Sequence, residues 1–558
     1  MSQLTVEIRS PSGADEAQAW VAPLVDKLVD EQVASALANQ DPTLWGPQAQ
    51  PEAARRLAWV TLPETSRPLL ATIEALRAEL RSSGIDRVVL AGMGGSSLAP
   101  EVICATARVP LTVLDTTDPG QVADALAGDL ERTVLVVSSK SGSTVETDSH
   151  RRVFAAAFAA AGLDPAAHLV VVTDPGSPLQ RIAQEQGYRA VITAEANVGG
   201  RYSALSAFGL VPAGLAGADI ASLLHDAAQA APLLALDDPA NPALRLAAAL
   251  AAGHSAGAEK VVLADTGSGI LGFADWAEQL IAESTGKEGT GLLPVVVQNP
   301  AAPGFADAGA DATTIAIGPS VAMSPTATAA VAVSGTLGGQ MLLWEHAIAV
   351  VGRLLGINPF DQPDVEASKA AARAQLDGLQ GTDGVQGEPA AGPAPAFVDG
   401  DIAVHPVGDW LPAGVGTLRD ALRALVTATP QWGYLAVQAY LDRLTDASAA
   451  VLRTELARRT QLQTTFGWGP RFLHSTGQYH KGGHQNGAFL QLTGAVEEDI
   501  PVPGTGFTLG ELQQAQALGD AGVLAAHGRP VLRLHLLDRA AGLVALVHAL
   551  QEPQASPK

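Results

Sequence analysis

The sequence predicts an α/β protein with two doubly wound parallel sheets, a mostly helical N-terminal segment and a C-terminal α/β extension. Three observations predict it. From residue 83 to 235, apolar runs at 88–91, 111–115, 133–137, 169–173 and 190–193 alternate with helical segments. The rhythm restarts near Asp237 with strands at 260–264, 294–298 and 313–317. Small-residue turns follow the strands and open helices, which is how an open α/β sheet forms an anion site.

Residues 1–82 precede this pattern. Residues 4–8 read as an edge strand. Residues 15–39 are helical by periodicity, with Trp20, Leu24, Leu28, Val33 and Leu37 on one side and Pro23 as a point of kink or restart. Residues 68–81 form another helix, and Trp45 and Trp59 are core anchors.

The first α/β unit spans 83–235. Its strand at 88–91 runs into Gly92-Met93-Gly94-Gly95-Ser96-Ser97, and a helix starts just beyond, with Pro100 tolerable in the first turn. Its strand at 133–137 runs into Ser138-Ser139-Lys140-Ser141-Gly142-Ser143-Thr144, and Val145 opens the next helix. Five hydroxyls and one lysine occupy those seven residues. Backbone N–H groups in such a turn form a nest for anions. A serine-rich turn by itself is also an ordinary loop or helix cap; two at successive strand ends favour phosphate binding. The P-loop pattern is absent, and the third glycine of the dinucleotide fingerprint is missing after Gly92-Met93-Gly94. The turns suit a small phosphate monoester. Gly199-Gly200-Arg201-Tyr202-Ser203 presents an arginine that either meets an anion or lies on the surface.

The second unit spans 236–375. A helix at 241–254 and a strand at 260–264 lead to Asp265-Thr266-Gly267-Ser268-Gly269. On the helix at 270–282 and its continuation, Gln279 and Glu283 lie four apart and share a face. Glu283 near Gly286 and Gly289 reads either as a general base projecting into a cleft or as half of a solvated pair with Lys287. A helix at 340–355 precedes Asn358-Pro359-Phe360-Asp361-Gln362-Pro363, a rigid turn, and then Lys369.

Residues 376–401 read as a Gly/Pro-rich linker. The region 402–558 is assigned a helix pair (417–429 and 435–458), a strand at 489–493, a helix at 509–527 and a strand at 531–536. Between residues 467 and 484 lie three histidines, two cations and five glycines. His474, His480 and His484 suggest a metal site only weakly, because no acidic residue is nearby in sequence.

Composition limits the function. The chain of 558 residues is 47% hydrophobic and 16% charged, with a net charge of −23. That balance disfavours nucleic acid and anionic membrane as partners. An anionic substrate then needs local cations. One cysteine, Cys104, excludes an internal disulfide and reads as a buried thiol. The first residues carry no apolar signal region, and no apolar tract reaches the roughly 18 to 20 residues of a span. A soluble cytoplasmic protein is expected.

The quoted motifs resemble phosphoglucose isomerase. Five occur in that family's order: 94–100, 139–144, 199–203, 279–287 and 358–369. The resemblance runs through residues 85–372. It is strongest to the isomerase half of bifunctional transaldolase/phosphoglucose isomerase proteins, whose C-terminal region has a similar Gly-Pro-Arg-Phe-Leu-His-Ser-Thr-Gly-Gln segment. It implies two sugar-isomerase domains and interconversion of glucose 6-phosphate and fructose 6-phosphate through a cis-enediol, in glycolysis and gluconeogenesis. It implies that Ser96, Ser139, Lys140, Ser141 and Thr144 hold the phosphate, and that Gly95 and Gln279 line the pocket. Glu283 would move the proton, Arg201 would steady the enediolate and Lys369 would assist ring opening. No metal or organic cofactor is implied, and a homodimer is. The ring-opening histidine departs from the family's order. His346 sits in an apolar helical pattern and reads as core. His474 takes the role, although it follows the lysine motif. Two rival readings are a dual phosphoglucose/phosphomannose isomerase and a non-catalytic sugar-phosphate-binding regulator.

Overall fold

A computed structural model describes residues 4–9, 14–318, 324, 326–364, 367, 370–374, 376 and 394–551. Strand β1 (Thr5–Arg9) is followed by helices to Ser82, and then by β2 (Arg87–Gly92), β3 (Thr112–Leu114), β4 (Thr133–Ser138), β5 (Leu169–Thr173) and β6 (Ala190–Thr193). The last five form a wholly parallel sheet in the order β3-β2-β4-β5-β6. Its strands are apolar on both faces because both are covered. Val88, Leu90, Val134 and Val136 enter one core, while Val89, Ala91, Leu135 and Val137 enter another with Phe154 and Phe158.

The second sheet contains β7 (Lys260–Asp265), β8 (Leu293–Val296), β9 (Ala312–Ile317) and β10 (Ala329–Ser334) in the order β1-β10-β9-β7-β8. Only the edge strand β1 runs antiparallel, with Val6 opposite Val333. The expected edge strand is therefore present, and it belongs to the second sheet. Between the two sheets lies a helical layer whose core includes Leu210, Leu246, Leu280 and Trp344. The N-terminal helix (Ala14–Asp30) carries Pro23 inside it, and the break falls instead at Gln32, which is left-handed with φ 54°. Trp59 is fully buried and Trp45 partly so.

The third sheet contains β11 (Phe397–Asp399), β12 (Ile402–Val407), β13 (Tyr434–Tyr440), β14 (Gln463–Trp468), β15 (Gly487–Gly494) and β16 (Val531–Leu536) in the order β11-β12-β16-β15-β13-β14. Two expectations are corrected here. Residues 435–458 are not one helix: β13 occupies the first part and a helix (Val451–Thr460) the last. Every residue of β13 is buried, so the strand lacks the period-two signal, and its alanines and glutamine imitate a helix. The linker reading also fails at 397–399, where β11 pairs with β12; residues 377–393 lie outside the described residues. One face of the third sheet shares a core with the second, through Val262, Val295, Tyr434, Ala436 and Phe489. Among the described residues no helix is long and apolar enough to cross a membrane.

Candidate active site

The site is built where β2 and β4 lie side by side. Gly92 pairs with Ser138, so the two small-residue turns leave neighbouring strand ends. Connections depart in opposite directions from this point, which opens a crevice beyond the carboxyl ends of the strands.

The first turn is a short 3-10 segment, Gly94–Ser96, leading to the helix Leu98–Ala107. Gly94 has φ +55°, and a side chain there would meet the Gln279 amide and the His474 carbonyl. A Cβ on Gly95 would collide with the carbonyl of Gly200. The turn is thus pressed between the Arg201 loop, the helix of Glu283 and the His474 segment. Ser96 is buried at its end.

In the second turn, Ser139 and Thr144 share a hydroxyl hydrogen bond of 2.9 Å, and Ser139 Oγ accepts from the Gly142 N–H at 3.2 Å. The Ser141 hydroxyl oxygen accepts from the Ser143 hydroxyl at 3.0 Å. Lys140 pairs with Asp174 at the end of β5 and donates to the Ala196 carbonyl at 3.1 Å. Burial holds the Asp174 carboxyl above the usual carboxylate range despite that lysine.

Glu283 and Gln279 project together from the helix Phe273–Thr285, as their spacing predicts. Gln279 Nε2 donates to Glu283 Oε2 at 3.1 Å and to the His474 carbonyl at 2.8 Å. Arg201 is 2% exposed and lies 3.4 Å from Glu283 Oε1. Its other contacts hold the 358–362 turn: Nη2 donates to the carbonyls of Pro359 and Asp361 at 2.7 and 2.9 Å, and Nη1 donates to Gln362 at 2.9 Å. The solvated Glu283–Lys287 pair is corrected. Lys287 is buried, and donates instead to Asp361 Oδ1 at 2.7 Å and to the Asn358 carbonyl at 2.7 Å. Burial lowers its pKa to about 8, with the neighbouring Arg201 acting in the same direction. Gly286 caps this helix, and a Cβ there would collide with Tyr479, so the two backbones pack closely just before Lys287. Lys369 lies outside the described residues.

His474 closes the site from the C-terminal region. Its Nε2 is 3.0 Å from Glu146 Oε1. Glu146 is buried in the first turn of the helix Val145–Ala160, just past the serine-rich turn. Sequence reading missed it, because an acidic residue there is ordinary complement to a helix dipole. The other two histidines of that segment diverge. His480 is buried within 3.5 Å of Gln438 and stacks on Tyr434, while His484 reaches Glu259 at 2.8 Å. Among the described residues no group of three ligand-type side chains is placed to hold a metal ion. His346 is core, against Trp59, as expected. Cys104 is buried, and burial pushes its thiol up to about 12.

Arginines dock the C-terminal region on the first unit. Arg471 bridges Glu101 at 2.7 Å and Asp115 at 3.2 Å, Arg443 reaches Glu101 at 2.9 Å, and Arg539 reaches Asp118 at 2.9 Å. Asp115 and Asp118 follow the carboxyl end of β3, and Glu101 lies in the first turn of the helix Leu98–Ala107.

Paired parallel sheets, hydroxyl turns at one switch point and a carboxylate carried from the other unit define the class: this is a sugar-isomerase fold. Comparison with known proteins narrows the class. The family profile described as Phosphoglucose isomerase matches residues 75–312. Glucose-6-phosphate isomerase of Citrifermentans bemidjiense is 31% identical over 412 residues, covering 61% of this chain and 74% of the relative. The enzyme so named in Thermosynechococcus vestitus is 34% identical over 347 residues, covering 51% of this chain and 65% of the relative. A hypothetical protein of Thermus thermophilus, known by crystal structure, aligns with a TM-score of 0.54 at 25% identity, over 67% of this chain and all of that one. A glucose-6-phosphate isomerase structure from Chlamydia trachomatis shares the fold, with a TM-score of 0.50 at 21% identity, over 63% of this chain and 79% of that one. The chain belongs to the phosphoglucose isomerase family. It spans 65%, a little under two thirds, of the length of the Thermosynechococcus vestitus and Cyanothece relatives it matches.

Proposed function

We propose that the chain interconverts glucose 6-phosphate and fructose 6-phosphate. One observation carries the reading: the Glu283 carboxylate lies beside a buried guanidinium, and its hydrogen-bonded partner Gln279 packs against Gly94 of the first turn. An anion held at that turn and at 139–144 sets the sugar carbons toward the base.

Ser96, Ser139, Ser141 and Thr144 supply hydroxyl donors to the phosphate, and Lys140 supplies charge. In ring opening the C1–O5 bond breaks: His474, oriented by Glu146, gives a proton to O5, the O1 hydroxyl releases its proton as the C1 carbonyl forms, and Lys369 assists. In the open aldose, Glu283 takes the proton from C2. The C–H electron pair becomes the C1–C2 double bond, and O1 gains the negative charge. A proton passes from O2 to O1, and Glu283 returns its proton to C1 as the ketose carbonyl forms. Arg201 lowers the energy of the enediolate by its charge. On the open chain every bond change is a proton transfer next to a carbonyl, so a carboxylate and a positioned cation suffice for the isomerisation itself. A homodimer is proposed as the assembly.

The test is a coupled assay with fructose 6-phosphate, run with mannose 6-phosphate in parallel. Formation of glucose 6-phosphate, lost in Glu283→Gln, supports the reading. No turnover together with intact phosphate binding would establish a sugar-phosphate-binding regulator instead. Turnover of mannose 6-phosphate would extend the substrate to the 2-epimer.

A further inference from the structure

The contact between His474 and Glu146 does not end at Glu146. The same oxygen, Oε1, accepts from Gln516 Nε2 at 2.7 Å. Gln516 is buried on the long helix Leu509–Ala526. Its own oxygen accepts from the Thr117 hydroxyl at 2.9 Å. An amide has one donor end and one acceptor end. A hydroxyl donating to the acceptor end fixes the donor end on Glu146. Thr117 lies in the buried polar turn after β3, between the acids Asp115 and Asp118 that the docking arginines engage. One helix turn below Gln516, Gln513 Nε2 reaches Asp118 Oδ2 at 3.4 Å. The helix is therefore seated on the strand ends by the same turn that orients the amide.

We infer that Gln516 is a positioning residue for the proposed isomerisation: its amide, set by Thr117, holds the Glu146 carboxylate against His474. The inference rests on the isomerase reading. A carboxylate oxygen that accepts from two donors is restrained in rotation, and both bonds favour its ionised form. Gln516 does this without adding charge. Fixing Glu146 directs the N–H of His474 at Nε2 toward it and leaves Nδ1 as the basic nitrogen, in the way a buried carboxylate orients a catalytic imidazole. Among the described residues, His150, one turn along the same helix, and Tyr440 on β13 also interact electrostatically with Glu146. Burial lowers the first to about 4 and keeps the second protonated, so neither replaces the amide as a donor with changing pH. The C-terminal region then contributes both the imidazole and the group that orients its partner.

The experiment compares Gln516→Met and Gln516→Glu in the full chain. Gln516→Met keeps the volume and removes the donor. Turnover of glucose 6-phosphate should fall roughly tenfold, a fraction of what a positioned acid–base group is worth, with KM and inorganic phosphate affinity unchanged. Gln516→Glu sets two carboxyl groups on one proton, and should move the acidic limb of the pH–rate profile upward. A downfield imidazole N–H proton resonance in the wild-type chain, assigned by its loss in His474→Gln, should weaken in Gln516→Met. This readout is independent of turnover. A wild-type chain with no isomerase activity would remove the function while leaving the resonance test intact. An active wild type whose pH profile, turnover and resonance are all unmoved by Gln516→Met would overturn the inference. Thr117→Val should reproduce the Gln516→Met resonance change in weaker form; an unaffected resonance there would remove Thr117 from the scheme.

Discussion

The two α/β units wind alike and do different work at their strand ends. In the first sheet, β3 lies on one side of β2 and β4 on the other; in the second, β8 and β9 flank β7 in the same way. Both switch points open onto a glycine- and serine-rich turn. In the first unit the donors of the serine-rich turn meet hydroxyl oxygens and no carboxylate of their own turn: Ser139 Oγ accepts from the Gly142 N–H at 3.2 Å and Ser141 Oγ from the Ser143 N–H at 3.3 Å. In the second, the turn after β7 closes on itself: Asp265 Oδ1 accepts from the N–H groups of Gly267 at 3.0 Å and Ser268 at 2.8 Å. The chain's own carboxylate occupies the donors that an external anion would use. The second unit contributes Glu283, the proposed base, on the helix that follows that turn. Topology provides the crevice, and one residue decides whether a ligand or the protein itself fills it.

The comparison can be broken at five points. The largest effect belongs to the second unit's contribution. Glu283→Gln should lower turnover by about 10³-fold and leave phosphate affinity intact; loss of both together would mean that the variant had disturbed the whole crevice. Next, Ser139→Asp copies the second unit's device into the first. The dissociation constant for inorganic phosphate should rise about a hundredfold by charge repulsion and loss of a donor, and a titration showing unchanged affinity would remove the 139–144 turn from the anion site.

The third effect is a pH dependence. Lys287 holds its proton up to about pH 8 in the fold, whereas the unfolded chain holds it to the ordinary lysine range. Activity should fall above pH 8 as the clamp on the 358–362 turn loses its charge. Over the same interval the unfolded state binds more protons than the folded one, so this group's contribution to stability rises with pH from about 8 toward the ordinary lysine value. Activity and stability should therefore move in opposite directions. Lys287→Arg, which stays charged, should shift the activity limb upward, and a limb that does not move would assign it to another group.

The fourth effect is a gain. Asp174 holds Lys140, so Asp174→Asn should tighten phosphate binding several-fold through removal of a competing charge, and should do nothing in a Lys140→Met background. Equal tightening in both backgrounds would show that Asp174 acts on the phosphate directly. The smallest effect is Asp265→Ala, which should cost about 1 kcal/mol of stability as a lost turn cap and leave KM unchanged. Altered KM would mean that the second crevice takes part in binding.

Legibility in the sequence divided along physical lines. The parallel strands of the first two units were readable because both faces are buried and the runs are short and apolar. The turns were readable because glycine and serine serve as both conformational and chemical markers. Gln279 and Glu283 were readable because helical spacing is local. Lys287 was not: its partner Asp361 is brought near only by the fold, and a glutamate four residues earlier offered a simpler pairing. Glu146 and Gln516 were invisible for the same reason, since each acquires its meaning from residues hundreds of positions away. The strand β13 was lost because full burial erases the alternation that identifies a strand. The edge strand β1 was recognised, but nothing in its residues names the sheet it joins.

The bond between Glu146 and His474 joins residues 328 positions apart. A chain emerging from the ribosome presents the 139–144 turn well before it presents this imidazole. Forms that stop between these two residues should then capture sugar phosphates without converting them, and what they all lack is this one contact.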